Sequence, residues 1–84
     1  MLTVLYFAWV REAVGVAEET VDPPPDAATV HALVDWLATT SHRHAAAFAD
    51  RSRLRAAADQ RFVGMDASVE GVRELALFPP VTGG

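Results

Sequence analysis

The chain has no cysteine and no lysine. Without cysteine there is no disulfide framework, no thiolate nucleophile and no cysteine-bound metal site. Without lysine there is no side-chain amine for Schiff-base chemistry, and the primary amine left is that of Met1. Codon bias in a GC-rich genome explains the missing lysines more simply than selection for a reaction. All seven basic residues are arginines, against eleven acids, for a net charge of −4. With no basic run or stripe, nucleic-acid binding is not expected. No stretch approaches the roughly 18 apolar residues of a membrane span. The apolar start, MLTVLYFAWVR, has its first base, Arg11, after the run, whereas a secretory leader carries positive charge before it. A cytoplasmic protein is expected, with neither membrane nor nucleic acid as a partner.

At 84 residues the sequence supports one domain. A chain of this size buries about 60–65% of its unfolded surface, enough for a core with little to spare. A hydrophobic fraction of 51% argues for a folded core and against disorder. A deep catalytic cleft is hard to carve from so little material, which favours a carrier, a subunit or a binding module.

Residues 2–9, LTVLYFAW, are rich in β-branched and aromatic types and predict a central strand. Alternation sets Leu2, Val4, Tyr6 and Ala8 on one face and Leu5, Phe7 and Trp9 on the other. REAVGVAEE is expected to be a connection turning at Gly15, and EETVD a short strand returning antiparallel. Three prolines at 23–25 stop any regular element. Val30, Leu33, Val34 and Leu37 then fall at i, i+3, i+4 and i+7, the apolar stripe of a helix, with Thr29 as its N-cap and Trp36 at the stripe's edge. HRHAAAFADRSR permits a helix, and Phe48 could anchor it or a loop. LRAAAD and RFVGM predict two short strands, and VRELALF the last one, ended by Pro79 and Pro80.

That order gives an α+β fold: a hairpin, a crossing helix and a sheet completed by later strands. The two most apolar strands, first and last, belong together in the middle and parallel. This is the β-grasp, or ubiquitin-like, arrangement: a mixed sheet packed on one main helix, over residues 1–78, followed by an extended tail, 79–84.

Familiar catalytic patterns are missing: no Gly-rich phosphate loop and no G-x-S-x-G elbow. His42 and His44, two apart, point in different directions on a helix, and His31 is distant, so no metal site is expected and the histidines are expected to face solvent. Ser41, Ser52 and Ser68 have no evident activating base. What remains is the tail. Two stiff prolines favour an extended exit, and six residues reach roughly 18–20 Å at about 3.1–3.3 Å each. Gly83 and Gly84, lacking Cβ atoms, fit a channel too narrow for other residues. A terminal carboxylate activated by ATP as an acyl-adenylate exchanges AMP for sulfide and becomes a thiocarboxylate, a sulfur nucleophile that needs no cysteine.

Three stretches, VLYFAWVRE at 4–12, AAADQRFV at 56–63 and above all LFPPVTGG at 77–84, resemble the small subunits of molybdopterin synthase, the MoaD-type sulfur carriers of the ubiquitin-like, ThiS-like group. The resemblance runs nearly the full length. It implies a chain that binds no cofactor itself. An adenylyltransferase resembling ubiquitin-activating enzymes uses ATP to activate the terminal glycine, and a sulfur-donor protein supplies the sulfur. The tail then enters the large synthase subunit, usually in a heterotetramer, and donates sulfur to cyclic pyranopterin monophosphate during molybdenum cofactor biosynthesis. The general acid and base belong to the large subunit.

By that resemblance Gly84 bears the sulfur and Gly83 is the slender unit behind it, while Phe78, Pro79, Pro80, Val81 and Thr82 form the docking tail. Phe7 and Phe62 match an apolar patch for the large subunit, and Arg11 matches the Arg-Glu pair after the first strand. The residues alone leave core packing open for Phe7 and Phe62, and a solvated loop charge for Arg11. Phe78, opposite Leu75 and Leu77 on its strand, is expected to be surface-exposed. Ala57-Ala58-Asp59-Gln60 and Glu70-Gly71-Val72-Arg73-Glu74-Leu75 depart from the family's usual turns. A carrier of the same fold serving thiazole or cysteine synthesis is a rival reading, against which Phe-Pro-Pro speaks. A Gly-Gly terminus is also compatible with a ubiquitin-like modifier, which could not build chains on lysines of its own, and with a binding domain whose tail is inert.

Overall fold

The computed structural model describes residues 1–80. The elements run β1 (Leu2–Tyr6), α1 (Ala8–Val14), β2 (Glu18–Val21), α2 (Val30–Leu37), α3 (His42–Ala47), a 3-10 turn (Arg51–Arg53), β3 (Arg55–Ala58), β4 (Arg61–Val63) and β5 (Glu74–Phe78). The five strands make one sheet in the order β2-β1-β5-β3-β4. β1 and β5 pair in parallel at its centre, and the remaining neighbours are antiparallel. The mixed α+β sheet expected from the strand order is therefore present.

Alternation along each strand sorts the side chains. Val4 lies beside Leu75 and Tyr6 beside Leu77, and Leu77 beside Ala56; these inner-face residues join one buried cluster with Val30, Leu33, Val34 and Leu37 of α2. The whole α2 stripe is removed from solvent. Thr29 caps the helix as expected, its hydroxyl accepting from the Ala32 amide at 3.1 Å, and Trp36 sits half-buried at the stripe's edge.

The first strand is shorter than its composition suggests. Residues 8–14, expected to finish the strand and begin a connection, form α1 instead. Ala8 adopts a left-handed backbone, φ 53°, which turns the chain sharply out of the sheet, so Ala8 is exposed rather than part of the inner face. Val10 and Val14, four apart, then bury one side of a helix. Its N-cap, Phe7, makes no side-chain capping bond, so the usual polar start signal is missing. Gly15 ends it at φ 98°, a conformation that suits glycine.

The departures from the family's turns have a local explanation at Asp59 and Gln60. Both have positive φ, 48° and 71°, as a two-residue hairpin turn requires, and Asp tolerates that region better than most side chains. The Asp59 carboxylate also accepts from the Arg73 and Glu74 amides, both at 3.0 Å, tying the β3–β4 turn to the start of β5.

One polar network crosses the layers. The Tyr6 hydroxyl donates to Glu19 Oε2 at 2.7 Å, His44 Nε2 lies 2.6 Å from the same oxygen, and Ser41 Oγ lies 2.6 Å from His44 Nδ1. His44 is thus not solvent-facing, its side chain being only 12% exposed, and Ser41 does have a base beside it. The hydroxyl is occupied structurally: it caps α3 by accepting from the His44 amide at 3.1 Å. The network ties β1, β2 and α3 together. Burial, then its bond to Glu19, pushes the Tyr6 hydroxyl above the ordinary tyrosine range. Partial burial alone would raise the Glu19 carboxyl, but the hydrogen bonds from Tyr6 and His44 and the His44 charge outweigh it and hold it low.

Leu77→Ala should destabilise the protein by about 2–5 kcal/mol in chemical unfolding, because Leu77 is fully buried on a central strand. Phe62→Ala, at a side chain 80% exposed, should change stability by under about 0.5 kcal/mol. For Glu19 the folded carboxyl titrates below the unfolded one. Its stabilisation is therefore complete above the ordinary value of 4.5 and is lost as pH falls through the lower folded value. Unfolding measured along an acid series should show that loss in the wild type and a flatter profile in Glu19→Gln.

Candidate functional site

The face of the sheet away from the helices is apolar across four strands. The pairings set Leu5 beside Ala76, Ala76 beside Ala57, and Ala57 beside Phe62. One step along the strands, Phe78 lies beside Arg55. Alternation turns Phe7, the residue after Tyr6, to this same face, and its amide donates to the Leu77 carbonyl at 3.1 Å. Ala57 is buried here, yet stands outside the main core cluster.

Phe7 and Phe62 are therefore not core residues: they are 49% and 80% exposed. Phe78 is half-buried rather than fully exposed, because its ring packs against Phe62 with centroids 5.6 Å apart. Together the two rings wall a shallow groove of about 230 Å³, completed by Arg55, Ala56 and Val63. Leaving such aromatic area in water is unfavourable, and bare apolar patches of this kind mark surfaces that another molecule covers.

Arg11 stands on α1 one turn beyond Phe7, its amide reaching the Phe7 carbonyl at 3.4 Å. It lines a different and more open depression with Glu12, Gly15, Val16 and Ala17, so it adjoins Phe7 without sharing the Phe62–Phe78 groove. Pro79 and Pro80 are half-buried, so the first two residues of the tail stay close to the domain surface. Val81, Thr82, Gly83 and Gly84 lie outside the described residues.

Two arginines, Arg55 in the groove and Arg53 outside its lining, carry little or no signal in the sequence. Arg55 alternates with Ala57 on β3, a pattern visible in LRAAAD once Leu54 and Ala56 are set inward. Arg53 lies over the Trp9 ring, 4.9 Å from its centroid, a cation–π contact between segments far apart in the chain that no local pattern announces. Chemically, this face can bind but has little with which to catalyse. The Ser41–His44 pair is engaged in capping α3 and holding Glu19. Among the described residues no group of three metal-ligating side chains comes together, and no helix is long and apolar enough to cross a membrane.

Comparison with known proteins agrees with this architecture. The ThiS family model matches residues 4–84. The molybdopterin synthase sulfur carrier subunit of Escherichia coli (strain K12) is 43% identical over 84 residues, covering 100% of both chains. The subunit of the same name from Haemophilus influenzae is 37% identical over the same full length. Among solved structures, SAMP1 from Haloferax volcanii superposes with a TM-score of 0.71 at 27% identity, over 99% of this chain and 98% of that one. With a full-length match to its model and to relatives at this identity, the chain belongs to the ThiS family.

Proposed function

We propose that this protein is the sulfur-carrier subunit of a molybdopterin synthase. The observation that carries the reading is full-length similarity to two subunits of that name, extending through a C-terminal FPPVTGG, together with a bare aromatic face at the strand that feeds the tail. The sheet face supplies docking, and the tail supplies the reacting atom.

The chemistry follows from the terminal carboxylate of Gly84. A carboxylate is a poor acyl donor because its leaving group would be oxide. Attack of that carboxylate on the α-phosphorus of ATP, held by an adenylyltransferase, releases pyrophosphate and leaves an acyl-adenylate. Sulfur at the sulfide level, delivered by a donor protein, then attacks the acyl carbon and AMP departs. The product is a thiocarboxylate. In the large subunit its sulfur attacks a carbon of cyclic pyranopterin monophosphate, the carbon–oxygen bond there breaks and the oxygen substituent leaves. Water then cleaves the acyl–sulfur bond to return the Gly84 carboxylate and leave the sulfur on the substrate. Gly83 and Gly84 suit this route because a narrow channel admits them without Cβ clashes. Phe7, Phe62, Phe78, Pro79, Pro80, Val81 and Thr82 dock the carrier on the large subunit, with Arg11 at the edge beyond Phe7. The protein needs no cofactor of its own; ATP belongs to the activating partner, and the setting is the cytoplasm.

Incubation of the untagged protein with ATP, its adenylyltransferase and a sulfide source should raise the intact mass by the difference between sulfur and oxygen, and deletion of Gly84 should abolish the gain. An unchanged mass, with an activator proven on another carrier, would reject the carrier function. Adducts at the mass of a second protein would favour a modifier instead. Phe62→Ala should weaken binding to the large subunit about tenfold or more in calorimetry while leaving thermal unfolding as in the wild type.

A further inference from the structure

The groove between Phe62 and Phe78 holds one charged side chain, and that charge has no counter-ion among the described residues. We propose that Arg55 is a specificity residue of the docking face, receiving a carboxylate from the large subunit, an Asp or Glu placed beside the apolar side chain that fills the groove. The proposal rests on the function proposed above.

Arg55 lines the groove and is the cross-strand neighbour of Phe78, the last residue of β5 before the tail. Its guanidinium is steered from one side only. Nη1 donates to the Ser52 carbonyl at 3.3 Å and the Leu54 carbonyl at 2.8 Å. Among the described residues the other guanidinium nitrogens make no hydrogen bond, and no carboxylate lies within ion-pair distance. Arg51 shows the contrast: it donates through Nε to the Phe48 carbonyl and through Nη1 to Asp35, both at 2.6 Å. Arg55 is thus oriented by backbone contacts while a planar fork of donors stays open, the geometry that suits a carboxylate.

Docking removes water from the groove. A partner that filled it with apolar atoms alone would strand the guanidinium without its hydration, which is unfavourable. A partner with a carboxylate at that point replaces the lost water and is favoured. Arg55 therefore rejects partners as well as attracting one. It also fixes orientation. The protein as a whole is acidic, with a net charge of −4, and Glu18 sits on the edge strand across the same face. An acidic residue on the partner is attracted at the Arg55 end of the face and repelled at the other.

The test is the affinity of the large subunit from the same organism, measured by calorimetry at low and high salt. The variants are Arg55→Met, which keeps the stem and removes the charge, Arg55→Lys, which keeps a charge without the fork, and Arg55→Glu. Arg55→Met should bind about tenfold more weakly and with a flatter salt dependence, and Arg55→Glu more weakly still. Arg55→Lys should keep the salt dependence and lose part of the affinity. Replacing the matching acid of the partner with Arg should restore binding of Arg55→Glu. If Arg55→Met binds as tightly as the wild type with the same salt dependence, while Phe62→Ala binds weakly, the groove docks without Arg55 and the proposal is overturned. If the wild type binds no large subunit, the proposed function fails and the pairing fails with it.

Discussion

The parallel pairing of β1 with β5 is the constraint on which the rest depends. β5 is inserted between β1 and β3, so its backbone satisfies the donors and acceptors of both neighbours. On the inner face it contributes Leu75 and Leu77 to the core beneath α2. On the outer face it contributes Ala76 and Phe78 to the exposed aromatic face. Its end is also the start of the tail. One strand of five residues therefore sets the core, the aromatic groove and the point from which the tail departs. A slip of one residue in its register would exchange the two faces and bury Phe78 in place of Leu77.

Much of this is legible in the residues, for identifiable reasons. The α2 stripe has four apolar positions at helical spacing, and β5 alternates cleanly, so period alone places them. The start of α1 is not legible. Phe7, Ala8 and Trp9 continue the apolar character of β1, and the chain leaves the sheet through a left-handed alanine, a residue that gives no turn signal. Nothing local marks His44 as an internal residue, because its partners, Tyr6 and Glu19, are 38 and 25 positions away, and only the sheet brings them together. For the outer aromatic face, alternation places Phe62 and Phe78 on the right strands, but their contact depends on the β5-β3-β4 order.

The two faces use different physics. The inner face is closed, and its one polar network is satisfied from three elements, so it specifies how α3 sits against the sheet. The outer face is unfinished by the same standard: exposed aromatics beside a cation that no described carboxylate neutralises. A domain this small has little stability to set aside for a catalytic cavity, and it does not need one if its contribution is a surface and an activated terminus. The acid and base can then reside in a larger partner, where burial and neighbouring charges are easier to arrange.

The central place of β5 also has a consequence for synthesis. Of the strands described, it is the last to be translated, yet it lies between two made earlier. Until it emerges from the ribosome, β1 and β3 each present an unpaired edge and α2 lacks the Leu75 and Leu77 part of its floor, the arrangement most open to mispairing with other chains. A nascent or prematurely ended chain that lacks β5 cannot bring Phe78 against Phe62. The aromatic groove thus comes into being only with the strand that leads into the tail, so a chain that stops short of that strand lacks the surface proposed for docking.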